Sequence, residues 1–297
     1  PYAVAYPLFV VLGIAAFAVA GALTAPRQAA TTRRWTAALL AGGALMLFAQ
    51  VYSGQLTLIW TAALVTALAL HDRGHPVAAG LMIGLCSIKP PLCLLLPIAV
   101  IATGDRRFVA AATASVTLLA VVPTLWTGIG YWQDWIAALA TQSDRVGNDV
   151  TSIRGMLSWY AVLRGLGLDQ PAAVGLHALV TLGAAVAVWT VWRRPGVPFA
   201  ARAGLLLIAV PLASPYAWYY ELAIVLAGML FLIGAGWGRG PIAWVLFVIV
   251  WALGGFLPFL AHPVEFRYIM APAVTLAFLA ALSQTGMLGR RVERVLG

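Results

Sequence analysis

The residues able to do chemistry in this chain are confined to a few short polar stretches inside apolar sequence. "SPYAWYYE" (214–221) sets a proline, three tyrosines, a tryptophan and a glutamate between two apolar runs. An unpaired carboxylate at the centre of a bilayer costs ~2.5–3.5 kcal/mol to insert, and less towards an interface. Glu221 is the only acid embedded within an apolar segment. It reads either as a group prepared for acid or base duty or as half of a structural pair with Arg267 or Lys89. Tyr216, Tyr219 and Tyr220 supply hydroxyls, and Trp218 offers a flat face suited to a sugar ring.

Lys89, in "SIKPP" (87–91), is the only lysine among 18 basic residues. The two prolines after it break a helix and release local carbonyls. A lone ammonium at membrane depth calls for a partner, and a lipid-anchored phosphate is a fitting one; the plainer reading is a lysine snorkelling to the interface. Gln55, in "YSGQ" (52–55), has donors and an acceptor for a sugar hydroxyl or phosphate oxygen, or serves a helix-ending turn. Arg154, in "TSIRGMLSWYAVLRGLG" (151–167), and His262 and Arg267, in "HPVEFR" (262–267), complete the candidate binding set. Arginine matches phosphate with two parallel hydrogen bonds. One His and one Glu do not make a metal site, so no metal and no cofactor is expected. No HExxH, GxSxG, P-loop or GxGxxG motif is present, which argues against a zinc peptidase, a serine hydrolase or a nucleotide motor.

The sequence that positions these groups is that of a membrane protein. The 297 residues are 63% hydrophobic and 9% charged, with mean hydropathy +0.95. No soluble core absorbs so much apolar surface. The apolar runs are continuous rather than alternating, which disfavours a β-barrel. The expectation is one all-α polytopic bundle over residues 1–297. The net charge of +9 belongs to membrane orientation rather than to nucleic-acid binding. Cys86 and Cys93 read as buried packing residues.

Eleven apolar segments can be marked off, at about 2–24, 36–51, 56–70, 76–88, 91–103, 108–126, 171–192, 203–214, 216–235, 241–260 and 266–286. Several are short: 13 helical residues rise roughly 20 Å, against a hydrocarbon core of ~30 Å. Such helices must be tilted, broken or shielded by neighbours. On this division Glu221 falls roughly two turns inside the segment 216–235. Counted over alternate loops, thirteen basic residues fall on one side and five (Lys89, Arg145, Arg154, Arg164 and Arg267) on the other. The positive-inside rule makes the first side cytoplasmic, so every polar stretch named above faces outward. Within the external loop 128–170, Tyr131, Trp132 and Trp135 predict a helix lying along the membrane. The chain opens on Pro1-Tyr2 without a leader-like pattern, and a preceding piece is expected.

The order of these stretches resembles the integral-membrane glycosyltransferases of family 87, in the GT-C superfamily. The similarity rests on "GQLTLIWTAALVTALALHDRGHPVAAGLMIGLCSIKPPLCLLLP" (54–97), "TSIRGMLSWYAVLRGLG" (151–167) and "SPYAWYYELAIVL" (214–226). The resemblance implies a GT-C bundle in the plasma (inner) membrane with its active face extracytoplasmic. It implies transfer of a mannose-like hexose from a polyprenyl-phosphate-linked sugar donor to a glycan or glycolipid acceptor. The family's catalytic Asp is expected in a first external loop preceding Pro1. Glu221, where the family usually carries Asp, is left as an auxiliary group. Two other classes stay open. A transporter or flippase would place its charges at the midplane, often with repeat symmetry, and an inert assembly subunit would need no reactive centre.

Overall fold

The computed structural model describes residues 1–148, 152–237, 240–253 and 266–287. Every element among the described residues is helical, and one isolated antiparallel bridge, Met156 to Trp218, is the only extended pairing among them. The chain builds α1 (Tyr2–Leu23), α2 (Thr31–Gly42), α3 (Leu47–Ser53), α4 (Thr57–Asp72), α5 (Pro76–Leu85), α6 (Leu96–Ala102) and α7 (Arg106–Thr127). It continues with α8 (Gly130–Asn148), α9 (Trp159–Gly165), α10 (Gln170–Arg193), α11 (Phe199–Ala213), α12 (Leu222–Gly234), α13 (Pro241–Val248) and α14 (Phe266–Ser283).

Helix starts follow from the sequence. The Asp105 carboxylate accepts from the backbone N–H of Arg107 (2.9 Å) and Phe108 at the head of α7. Asp169 does the same for Ala172 N at the head of α10. Each cap satisfies donors that the first helical turn leaves without partners.

All eleven apolar segments contain helix. Four of the described helices, α1, α7, α10 and α14, are long and apolar enough to cross a membrane, or five if the bent pair α2–α3 counts as one span. The remaining apolar helices hold fewer residues, so four or five candidate spans stand among the described residues where about 11 hydrophobic segments, several of them short, were expected. The breaks have local causes. Between α2 and α3 the axis turns by 47°, and the exposed backbone is met by Trp251, whose O accepts from Met46 N (3.0 Å) and whose ring N–H donates to Leu40 O (2.7 Å). In segment 91–103, Pro90 and Pro91 hold a short 3-10 turn, Pro90–Leu92, so α6 starts only at Leu96.

The core lies along α11 and α12, where Leu205 to Val210 and Leu222 to Met229 are all buried. Their close approach requires small residues: a Cβ on Gly204 would lie 2.9 Å from Gly228 O, the close backbone contact favoured between helices in lipid. Around them, α1 packs on α2 and α4, α5 on α4 and α7, and α10 and α14 on α11. The outer helices α1 and α7 leave most of their apolar surface outside the protein core, the surface that lipid covers. Helix α8 follows α7 where an interfacial helix was predicted, and it carries Tyr131, Trp132 and Trp135 in edge-to-face contact.

The bundle has two distinct ends. At one, Arg27 pairs with Asp72 (2.8 Å), Arg34 donates to Arg27 O, and Arg194 donates to Gly286 O. Helix α4 runs from that end, at Asp72, to Thr57 at the other. Its 16 residues rise about 24 Å.

Candidate functional site

The site is built at the Thr57 end of α4. Gly54 closes α3 in the left-handed conformation (φ +59°), and a Cβ there would lie 2.7 Å from the ring of Tyr6. Glycine meets both demands, and the chain turns at once into α4 with Thr57 fully buried in its first turn. Trp60, one turn further, donates to Cys86 O (2.8 Å). That bond ties α4 to the pair of 3-10 turns, Cys86–Ile88 and Pro90–Leu92, between which Lys89 stands.

From there Lys89 reaches back across α4. Its Nζ donates to Thr57 Oγ1 (2.8 Å) and to Glu221 Oε1 (2.6 Å), and lies 5.1 Å from the centre of the Tyr220 ring. The Glu221 side chain is 3% exposed and that of Lys89 22%, so the carboxylate is sealed beneath a lysine side chain that still meets the surface. Glu221 Oε2 accepts from the backbone N–H of Trp218. Both carboxylate oxygens are therefore engaged within the protein. Of the two partners open to Glu221 in the sequence, Lys89 is the one used.

Glu221 is not two turns inside a helix. Residues 214–218 are non-helical, with a turn at Pro215 and Tyr216, Tyr219–Glu221 form a 3-10 turn, and α12 begins at Leu222. The physical reason is that the backbone before it is bonded elsewhere. Leu157 N donates to Ala217 O (2.9 Å), and Ser158 Oγ donates to Pro215 O (2.6 Å). His177, buried in α10, accepts from Tyr160 N through Nδ1 (3.3 Å), so its other nitrogen carries the proton and donates to Ala213 O (3.2 Å). Thr181 donates to the same carbonyl (2.8 Å). The stretch 152–160 and helix α10 thus clasp residues 213–218, and every carbonyl they bond is one that a helix would have used.

The remaining predicted residues are distributed around this centre. Trp218 and Tyr220 hold their rings nearly parallel, at 9° and 6.4 Å. Tyr216 lies edge-on against Tyr160 (5.8 Å). Arg154 is exposed on the turn before Gly155, and a Cβ on Gly155 would meet the Tyr219 ring at 3.0 Å; that turn therefore lies beside the aromatic wall. Gln55 is half-buried between α3 and α4, but the glutamine that reaches the site is Gln50, whose Nε2 donates to Tyr220 O. Arg267 is buried in the first turn of α14, over the Tyr268 ring (5.3 Å) and against Gly165, apart from the Lys89 pair. His262 lies outside the described residues.

Thr57, Gln50, Ser158 and His177 were not singled out in the sequence. Gln50 and His177 had a signal: each is the one amide or imidazole side chain in an apolar segment. Thr57 and Ser158 had none, because a single hydroxyl in a helix or cap is ordinary.

A helical bundle whose outer helices present apolar surface, with a cation–carboxylate pair set into one end, defines an integral membrane protein with a polar site near one face. The family is particular: residues 1–215 match the model of Glycosyltransferase family 87, and the chain belongs to that family. Membership makes it a membrane glycosyltransferase. The match takes in Thr57, Lys89 and Arg154 and ends before Tyr216. No curated protein matches the chain, and no solved structure does.

Proposed function

We propose that the chain transfers a mannose-like hexose from a polyprenyl-phosphate-linked donor to an extracytoplasmic glycan or glycolipid, at the Lys89 end of the bundle. The observation that carries this reading is Lys89 itself. It is a cation held by Thr57 and Glu221, on a side chain that still reaches the surface, at the end opposite the Arg27–Asp72 pair. In this reading the shorter helices are tilted or broken spans of a GT-C bundle in the plasma membrane, and the Arg-rich end is cytoplasmic.

In the reaction, an acceptor hydroxyl attacks the anomeric carbon. The bond from that carbon to the lipid phosphate oxygen breaks, and the hydroxyl proton passes to a base. The departing polyprenyl phosphate gains charge, which Lys89 stabilises at close range in a site of low dielectric. The rings of Trp218 and Tyr220 offer a face for the sugar, and the exposed Arg154 a contact for the phosphate; Gln55, Tyr216, His262 and Arg267 are kept as further candidate binding residues. Both oxygens of Glu221 are engaged, so its part is to hold Lys89 rather than to deprotonate the acceptor. A transporter is less well supported, because the charged pair sits at one end rather than at the midplane where such sites are usually built.

The test uses the protein in lipid nanodiscs with radiolabelled polyprenyl-phosphate mannose and a glycan acceptor. Label should leave the donor and enter the acceptor. Losing a group that stabilises developing charge costs roughly 10²-fold or more in kcat, the drop expected for Lys89→Ala. Full activity in that variant, or an intact donor with the unaltered protein, would overturn the reading.

A further inference from the structure

We propose that Thr57 is a positioning residue that aims the third N–H of Lys89 at the substrate phosphate. The proposal rests on the reading that Lys89 faces a lipid phosphate. A lysine ammonium is a compact charge with three donors on a flexible four-carbon stem, and a single acceptor leaves it free to swing. Here two acceptors on separate elements hold it, Glu221 Oε1 at 2.6 Å and Thr57 Oγ1 at 2.8 Å. With two N–H bonds fixed, tetrahedral geometry fixes the direction of the third. The second acceptor is neutral, so it restrains the ammonium without adding a negative charge that would repel the phosphate.

Thr57 is itself rigid. It is fully buried, its carbonyl accepts from Thr61 Oγ1 (2.7 Å), and its β-branched side chain is stiff at χ1. The Trp60 bond to Cys86 O sets the distance between α4 and the Lys89 turn independently of Thr57. Removing the hydroxyl alone therefore leaves the two elements in register.

The chain has one lysine, so protein labelled at lysine Nζ and Cε gives a single side-chain resonance that reports on Lys89 directly. Thr57→Val keeps the shape and loses the acceptor, and Thr57→Ser restores it. In nanodiscs with polyprenyl-phosphate mannose, Thr57→Val should displace the lysine resonance and lower kcat roughly ten-fold with KM little changed, the cost of one hydrogen bond to a charged group. Thr57→Ser should return both to near the unaltered protein. An unmoved resonance in Thr57→Val, or a Thr57→Ser variant as impaired as the valine, would overturn the proposal. If the unaltered protein turns over no donor, the transferase reading fails, while the resonance still decides whether Thr57 holds Lys89.

Discussion

Lys89 and Glu221 are unequal halves of one pair. The carboxylate is sealed, whereas the Lys89 side chain keeps some contact with the surface. Removing Lys89 strands a buried anion; removing Glu221 leaves a cation on a side chain that is only partly buried. Breaking a buried pair costs ~3–5 kcal/mol, with the low end apt for a pair partly exposed on one side. Lys89→Met should therefore lower the melting temperature more than Glu221→Gln does, measured by thermal unfolding in detergent. Equal losses would mean that the two side chains are alike in burial. Lys89→Arg should retain part of the activity, because the charge survives while the compact three-donor geometry does not.

At the scale of elements, the site depends on backbone that avoids being helical. Gly54 and the clasp on residues 213–218 each interrupt an apolar run at a defined place. Gly54→Ala combines a positive φ with a contact of 2.7 Å to Tyr6; left-handed backbone costs a non-glycine residue roughly 1–2 kcal/mol, and the contact adds to it. The variant should unfold at a lower temperature and lose activity in step. Unchanged stability would mean that α3 and α4 can meet in another way. Ser158→Ala removes the cap of α9 and the donor to Pro215 O. It should speed amide exchange across residues 157–161 and 217–221 without unfolding α11, and exchange unchanged at those residues would deny the clasp.

These elements also mark how far the sequence could be read. Hydropathy marked out apolar runs that each contain helix among the described residues, because apolar length survives any packing arrangement. It placed Glu221 too deep, because the carbonyls of Ala213, Pro215 and Ala217 are taken by residues 32 to 60 positions away in the chain. Lys89 stood out as the lone lysine. Thr57 did not, since its hydroxyl gains meaning only when Lys89 folds back over α4.

For the whole molecule, the arrangement fixes two ends and the proposed function assigns each a side of the membrane. Tyr52 is 68% exposed at the Lys89 end, and Arg33 is exposed at the Arg-rich end. With Cys93 changed to serine, Tyr52→Cys should react with an impermeant thiol reagent in intact cells and Arg33→Cys should not. The reverse pattern would put the site on the cytoplasmic side. The most direct test of the central claim is a density map of the protein in nanodiscs with bound polyprenyl phosphate. The account predicts the phosphate within hydrogen-bonding distance of Lys89 Nζ, beside Tyr220 and the 152–158 stretch. A phosphate seated at the Arg27–Asp72 end, with Lys89 buried away from it, would contradict the account.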